Sequence, residues 1–383
     1  MASKKNPDTA KDVFRLQNDS AVISADGSEA GGVGFPIGSD GNDDYTYIRQ
    51  EGKTNALRRM VPGKARQVEE NRIAGTASFY DRLVTIKVND YQELKAQNKN
   101  LFSVSTWQLL DALVITYTQN PSVTERTGYV FLPIKDYMNM RGITNETKAR
   151  KQINADIMAL WKAEVSWGTD DGNYLDKRIL QEKGTIKNSI ITVMFSDFMQ
   201  RTLRASNVMP YSRSLLSINS KRSPNAYAVG FKCLSHKNMN GGKKNENIIS
   251  VQTLLNECHT LPKYEDVVAS NDRHVDVRII KPFEAALDAN FNMFSWYYCS
   301  TNGAAVPEHE LASMDWKTFS SLMVFLEWKN YPDQTERLKR RDEQKAAELM
   351  TASKKRKKKA TTGADEPKRK RGRPRKNPSP ADT

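Results

Sequence analysis

Residues 272–299, DRHVDVRIIKPFEAALDANFNMFSWYYC, read as a helix running straight into a β-strand. On a helical wheel Val275, Ile279, Phe283, Ala286 and Leu287 share one side, while His274, Arg278, Lys281 and Ala285 share the other. One side suits a core, the other an anion. Pro282 removes a backbone donor and crowds the preceding turn, so the sequence predicts a kink near Ile279 to Lys281, or two abutting helices. Beyond it Phe294, Trp296 and Tyr298 alternate with Ser295 and Tyr297, the periodicity of a strand.

A basic-faced helix followed by a strand hairpin is the plan of a winged helix, in which the helix enters the major groove and the hairpin lies against the backbone. The partner strand is predicted at Leu322 to Trp328, after the insertion TNGAAVPEHELASMDWKTF. Upstream, residues 221–240 read as a helix capped near Ser223 with Pro224 in its first turn, 241–247 as a loop and 249–258 as a further helix.

The same plan occurs earlier in the chain. Leu101 to Gln119 reads as a buried helix opened by Ser105 or Thr106, Tyr129 to Leu132 as a strand, and Ile134 to Met140 as a short helix ending at Arg141 and Gly142. The next helix starts at Thr144 or Asn145 and runs to about Glu164, with Ala149, Ile153, Ile157, Leu160 and Trp161 inward and Thr147, Lys151 and Asn154 outward. Strands at Val165 to Trp167, Tyr174 to Leu180 and Ile190 to Phe195 complete the unit, so a wing is predicted here as well. Residues 196–218 read as a helical connector.

The fold class expected is therefore α+β, with two tandem winged-helix domains flanked by disordered tails. The divisions are a disordered segment at 1–75, a first domain with its connector at 76–218, a second domain at 219–332 and a basic tail at 333–383. The first segment, with AGGVGFPIGSDGNDD at its centre, lacks the apolar surface to offset the entropy of ordering.

Charge separates the tail from the rest. The formal charge is +14, and residues 337–376 hold 18 Lys and Arg against 5 Asp and Glu, a net of +13. The remaining 41 basic and 40 acidic residues nearly cancel, so the folded part must bind through local patches rather than bulk attraction. No apolar run reaches the roughly 18 residues of a membrane span, and MASKKNPDTAKDVFRLQNDS has no secretory core. A cytoplasmic, nucleoid-associated protein with no membrane partner is expected, or a nuclear one in a eukaryotic host, where Lys354 to Lys359 suits an import signal. Cys233, Cys258 and Cys299 include no CxxC pair, which argues against both a disulfide framework and a zinc finger.

Catalytic readings fail on their own requirements. The four histidines include no HxH pair for a metal-dependent nicking enzyme, and GGKK at 241–244 lacks the first glycine and the hydroxyl of a phosphate-binding loop. No enzyme, cofactor or metal is expected.

Two resemblances sharpen the functional expectation. Lys370 to Lys376, KRGRPRK, resembles the AT-hook: Arg371 and Arg373 suit a narrow A·T-rich minor groove, Gly372 allows close approach, Pro374 keeps the segment extended, and Arg375 meets phosphate. RIIKPFEAALDAN, residues 278–290, followed by FSWYYC, resembles the second winged-helix domain of iteron-binding plasmid replication initiators and their relatives in phages and integrative elements. The order of elements from Phe79 to Trp328 is similar to their two-domain layout, although the insertion at 300–318 departs from compact members. The resemblance implies binding of origin repeats in double-stranded DNA, opening of an adjacent A·T-rich tract, and recruitment of a replicative helicase or its loader. It places DNA contacts on Arg273, Arg278 and Lys281 in the second domain and on Lys148, Lys151 and Asn154 in the first, where it also implies homodimerisation. A transcriptional repressor, or an architectural protein binding mainly through its tail, would use the same features.

Overall fold

The structure, a computed structural model, describes residues 44–50, 68–71, 73–74, 76–80, 85–97, 102–168, 174–270, 274–311 and 314–335, with Lys339 and Glu343. Its first strand is β1 (Tyr45–Gln50), followed by β2 (Val68–Asn71), β3 (Thr76–Tyr80) and β4 (Thr85–Val88), then helix α1 (Tyr91–Gln97). Next comes α2 (Val104–Gln119), an almost wholly buried helix that includes Trp107, Leu109, Leu110 and Leu113. A helix buried on nearly all sides is stable only when enclosed, and α2 is enclosed by β1 and by elements that follow it. Truncating a leucine in such a position to alanine costs about 2–5 kcal/mol.

Around α2 stand α3 (Pro121–Thr127), β5 (Tyr129–Pro133), α4 (Ile134–Arg141), α5 (Glu146–Lys162), β6 (Ala163–Gly168), β7 (Tyr174–Arg178), β8 (Thr185–Lys187) and β9 (Ile190–Met194). Gly142, at φ 61°, ends α4, where a side chain would be strained. The antiparallel sheet order β5-β9-β8 sets the last strand between the other two. Then come α6 (Asp197–Ala205), β10 (Asn207–Ser212) and α7 (Ser214–Ser217).

The second half repeats this path with α8 (Ala226–Asn240), β11 (Ile248–Ser250), α9 (Val251–Leu255), α10 (Tyr264–Ala269), a π-helical turn at Asp276–Ile280, α11 (Lys281–Asp288), β12 (Phe294–Cys299), α12 (Glu308–Leu311), α13 (Trp316–Ser321) and β13 (Met323–Trp328). Its sheet order is β11-β13-β12, again with the last strand in the middle. With α3 and the β6 and β7 hairpin set aside in the first half, and α12 and α13 in the second, both halves run helix, strand, helices, strand, strand through the same pairing scheme.

Several expectations are corrected. Residues 1–75 are not devoid of regular structure: all six residues of β1 are buried, paired residue for residue with β10, and β2 joins β3. YTYIRQ was hidden in a polar context because its partner strand lies far along the chain. For the same reason 196–218 is not wholly helical, since Asn207–Ser212 is that partner. The β6 and β7 hairpin does not pair with the strand at Ile190 to Phe195, as the sequence reading had grouped them; it joins the separate sheet β2-β3-β4-β6-β7, and β9 pairs with β8 and β5. α2 starts after Ser103, because the hydroxyls of Ser105 and Thr106 bond Asp156 instead of capping it. α8 starts after Asn225, and residues 248–250 are a strand.

Nor does the boundary at 218/219 separate two cores. The described residues from Asp44 to Gln334 belong to one compact unit, and one apolar cluster runs from Ile48 through Trp107 and Leu215 to Phe283 and Leu326. The close approach of α11 to α8 needs Gly230, where a Cβ would lie 2.1 Å from Asn290 Oδ1. Asn290 Nδ2 donates to the carbonyls of Ala226 and Ala286 across that contact.

Candidate nucleic-acid interface

In the first half the third helix of the repeated path, α5, is started by Asn145, whose side-chain oxygen accepts from the Lys148 backbone N–H at 2.9 Å. Ala149, Ile153, Ile157 and Leu160 are buried, and α5 packs on α2, α4 and β8. Thr147, Lys151 and Asn154 are exposed on the opposite side, as the periodicity predicted, and Lys148 is exposed with them.

A buried polar cluster fixes this helix. The Asp156 carboxyl accepts hydrogen bonds from Thr106 Oγ1 at 2.6 Å, from Ser105 Oγ and from Gln152 Nε2. Burial pushes its pKa up to about 6, opposed by those hydrogen bonds. The β8 and β9 hairpin is tied to the helix as well: Arg150 bonds Glu146 along α5 and donates from Nη2 to Ser189 Oγ at 2.8 Å. Asn188 and Ser189, at φ 49° and 59°, form the two-residue turn between β8 and β9, and the Ser189 carbonyl accepts from Ile134 N–H at 2.8 Å.

Sequence reasoning missed the cations of this hairpin and of the residues leading into it. Lys187 is exposed on the hairpin whose tip is bonded to α5, and Lys183 is exposed just before it. The signal was present: in TIKNSIIT an Asn-Ser pair separates two β-branched runs, which is the pattern of a tight hairpin.

In the second half the wheel drawn from the sequence matches the burial. Ile279, Phe283, Ala286 and Leu287 are buried, Val275 is half-buried, and His274, Arg278, Lys281 and Ala285 are exposed. The kink expected at Pro282 takes the form of a π turn. Lys281 N–H bonds the carbonyl of Asp276, five residues back, immediately before the proline that begins α11. Two side-chain bonds hold α11 to its strand: Tyr298 donates to Glu284 at 3.1 Å, and Trp296 Nε1 to Asp288 at 2.9 Å. Burial raises the Glu284 pKa, and burial with the nearby Glu284 carboxylate raises that of Tyr298.

Lys281 needs a correction. Its ammonium sits 2.7 Å from Asp276 Oδ2, which raises its pKa, and the wheel had left Asp276 out. Lys281, one of the cations expected on this exposed side, is already engaged within the helix. Arg273, Arg371, Gly372, Arg373, Pro374 and Arg375 lie outside the described residues.

The insertion between β12 and β13 folds back on the body. Its Trp316 stacks on Tyr264 of α10 with ring centroids 4.7 Å apart and an interplanar angle of 3°, and α13 packs against α9. Among the described residues no group of three or more His, Cys, Asp or Glu side chains is gathered to hold a metal ion, and no helix is long and apolar enough to cross a membrane. The three cysteines are free and buried, and burial raises the thiol pKa of Cys233 and Cys258 well above the ordinary value.

No family model matches the chain, and the comparison with curated proteins found no match. Solved structures give loose likenesses. A crystal structure of selenomethionine-labelled domains 2 and 3 of RctB has a TM-score of 0.37 at 12% identity, over 70% of this chain and 92% of that one. Another crystal structure of RctB domains 2-3 has a TM-score of 0.35 at 10% identity, over 72% and 96%. No residue role is carried across at these scores.

Proposed function

We propose that this chain is a sequence-specific double-stranded DNA-binding protein, a replication initiator of a plasmid, phage or other mobile element, built from two winged helices in tandem. The observation that carries the reading is the repeated path: in each half a three-stranded sheet with its last strand central supports a helix whose outer side is polar. That arrangement suits a helix in the major groove with a wing on the backbone. Asn154 and Arg278 have the donors to read base edges, while Lys148, Lys151, Lys183 and Lys187 suit phosphates.

On this reading the protein acts by binding and deforming DNA, without catalysis of its own. The AT-hook-like tail raises the local concentration of the protein on an A·T-rich tract beside the repeats, through tethering. Helicase recruitment and pairing of two copies belong to the same proposal.

A footprint of the full chain on DNA spanning its own coding region tests the reading. Regularly spaced protection over direct repeats, weakened in Lys148→Ala/Lys151→Ala, is the expected result. Uniform coverage that this double variant leaves intact would overturn it.

A further inference from the structure

The exposed side of the π turn carries an apolar residue that neither the core nor the charge pattern explains. Val277 is 56% exposed, between Asp276 and Arg278, while Ile279 two residues on is 2% exposed. The core therefore lies on the other side, and Val277 stands among His274, Arg278 and Lys281. Valine is a poor choice for an exposed helical position, because β-branching lowers helix propensity and its methyl groups gain nothing from water.

We infer that Val277 reads the 5-methyl group of a thymine, an inference that rests on the reading of this helix as a major-groove helix. Among the base edges of the major groove, the thymine methyl is the apolar feature, and a side chain with no donor or acceptor distinguishes bases only through it. The backbone beneath Val277 is held in place. Lys281 N–H and its ammonium both bond Asp276, and Ile279 anchors the turn in the core. A valine there has one strongly preferred rotamer, so its methyl groups are presented at a fixed height. Arg278, next along the turn, supplies the polar contact that Val277 lacks.

The experiment uses the full chain. Bound duplexes are first selected from a random pool, and each thymine of the selected site is then replaced in turn by deoxyuridine, which removes only the methyl. The wild type is expected to lose about fourfold in affinity at one thymine per site, the factor that one buried methyl group supplies. Val277→Ala should bind the thymine and uracil duplexes equally, and Val277→Thr should keep part of the preference because it retains one methyl. Indifference of the wild type to every replacement, or a Val277→Ala protein with the wild-type thymine preference, overturns the inference while leaving sequence-specific binding intact. Failure to enrich any sequence overturns the underlying reading and the inference with it. The side chain is exposed, so thermal unfolding of the variants should match the wild type.

Discussion

Tyr227, in the first helix of the second half, donates its hydroxyl hydrogen to Asp111 of α2 at 2.6 Å, and both side chains are buried. Tyr211 of β10 donates to the same oxygen at 2.7 Å. Nearby, Gln108 donates to the carbonyls of Leu215, Leu216 and Ile218. The two halves are thus joined by directional bonds inside a shared core.

Tyr227→Phe is expected to lower unfolding stability by about 1–3 kcal/mol, because it removes a donor and leaves the acceptor buried. Asp111→Ala should cost more, since it strands two buried hydroxyls and opens a cavity. Urea denaturation measures both. A Tyr227→Phe protein as stable as the wild type would show that this bond does not hold the halves.

Lys148→Ala and Lys151→Ala are each expected to weaken binding to all duplexes to a similar degree and to reduce the slope of log affinity against log salt by about one. Asn154→Ala should instead relax preference at a single base pair, at a cost of about 1–3 kcal/mol. Titrations at several salt concentrations separate the two kinds of contact. An unchanged salt slope in Lys148→Ala/Lys151→Ala would remove α5 from the interface.

Asp156 gives the fold a pH dependence with a definite sign. Its pKa is raised from the ordinary 3.8 to about 6 in the folded protein, so the folded state binds the proton more tightly than the unfolded chain does. The stability it contributes is full below pH 3.8 and is lost as pH rises through about 6. By linkage this loss amounts to about 3 kcal/mol at most. Asp156→Asn, which cannot ionise, should flatten the stability profile between pH 4 and 6 in thermal melts. Identical profiles for the two proteins would refute this role.

Local signals were legible where an element makes its own case. The sides of α5 and of the Asp276–Asp288 segment, the Gly142 turn and the Pro282 kink all follow from spacing within a dozen residues. What escaped depends on partners distant in sequence. β1 is a buried strand only because Asn207–Ser212 pairs with it, and β6 joins a sheet other than that of β9 because Thr85–Val88 claims its edge. The engagement of Lys281 was nearer to hand, but a wheel that sorts residues by side omits the acidic neighbour five positions back. The Ser105 and Thr106 hydroxyls looked like caps until Asp156, on another helix, drew them away.

Ser189→Gly should stabilise the first wing. Ser189 sits at φ 59°, a conformation in which a Cβ is strained, and an Asn-Gly pair is the favoured sequence for such a turn. The gain is expected to be about 0.5–1 kcal/mol, reduced by loss of the exposed bond from Arg150. Releasing Arg150 also loosens the wing from α5, so DNA affinity should fall even as thermal stability rises. A Ser189→Gly protein that gains in both would show that the Arg150–Ser189 bond does not position the wing.

Pro282→Ala separates stability from positioning in the second half. Proline at the start of α11 has no N–H to offer the preceding turn, and Lys281 N–H reaches back five residues to Asp276 instead. Alanine restores a donor, so the segment can also wind as an unbroken α-helix, in which Val277 and Arg278 turn relative to Phe283 and Leu287. Burial of Ile279 opposes that rewinding and keeps the π turn populated. The stability change should therefore be small, about 0.4–1 kcal/mol from the greater freedom of the unfolded chain. Affinity for the selected DNA site should fall further than stability, because only the fraction of molecules with the π turn presents Arg278 in register. A competent fraction of one fifth gives about a fivefold loss. Ile279→Ala should show the opposite balance, with about 2–5 kcal/mol lost from the core. If Pro282→Ala binds its site as tightly as the wild type, the π turn is a packing solution and does not set the register of the helix on DNA.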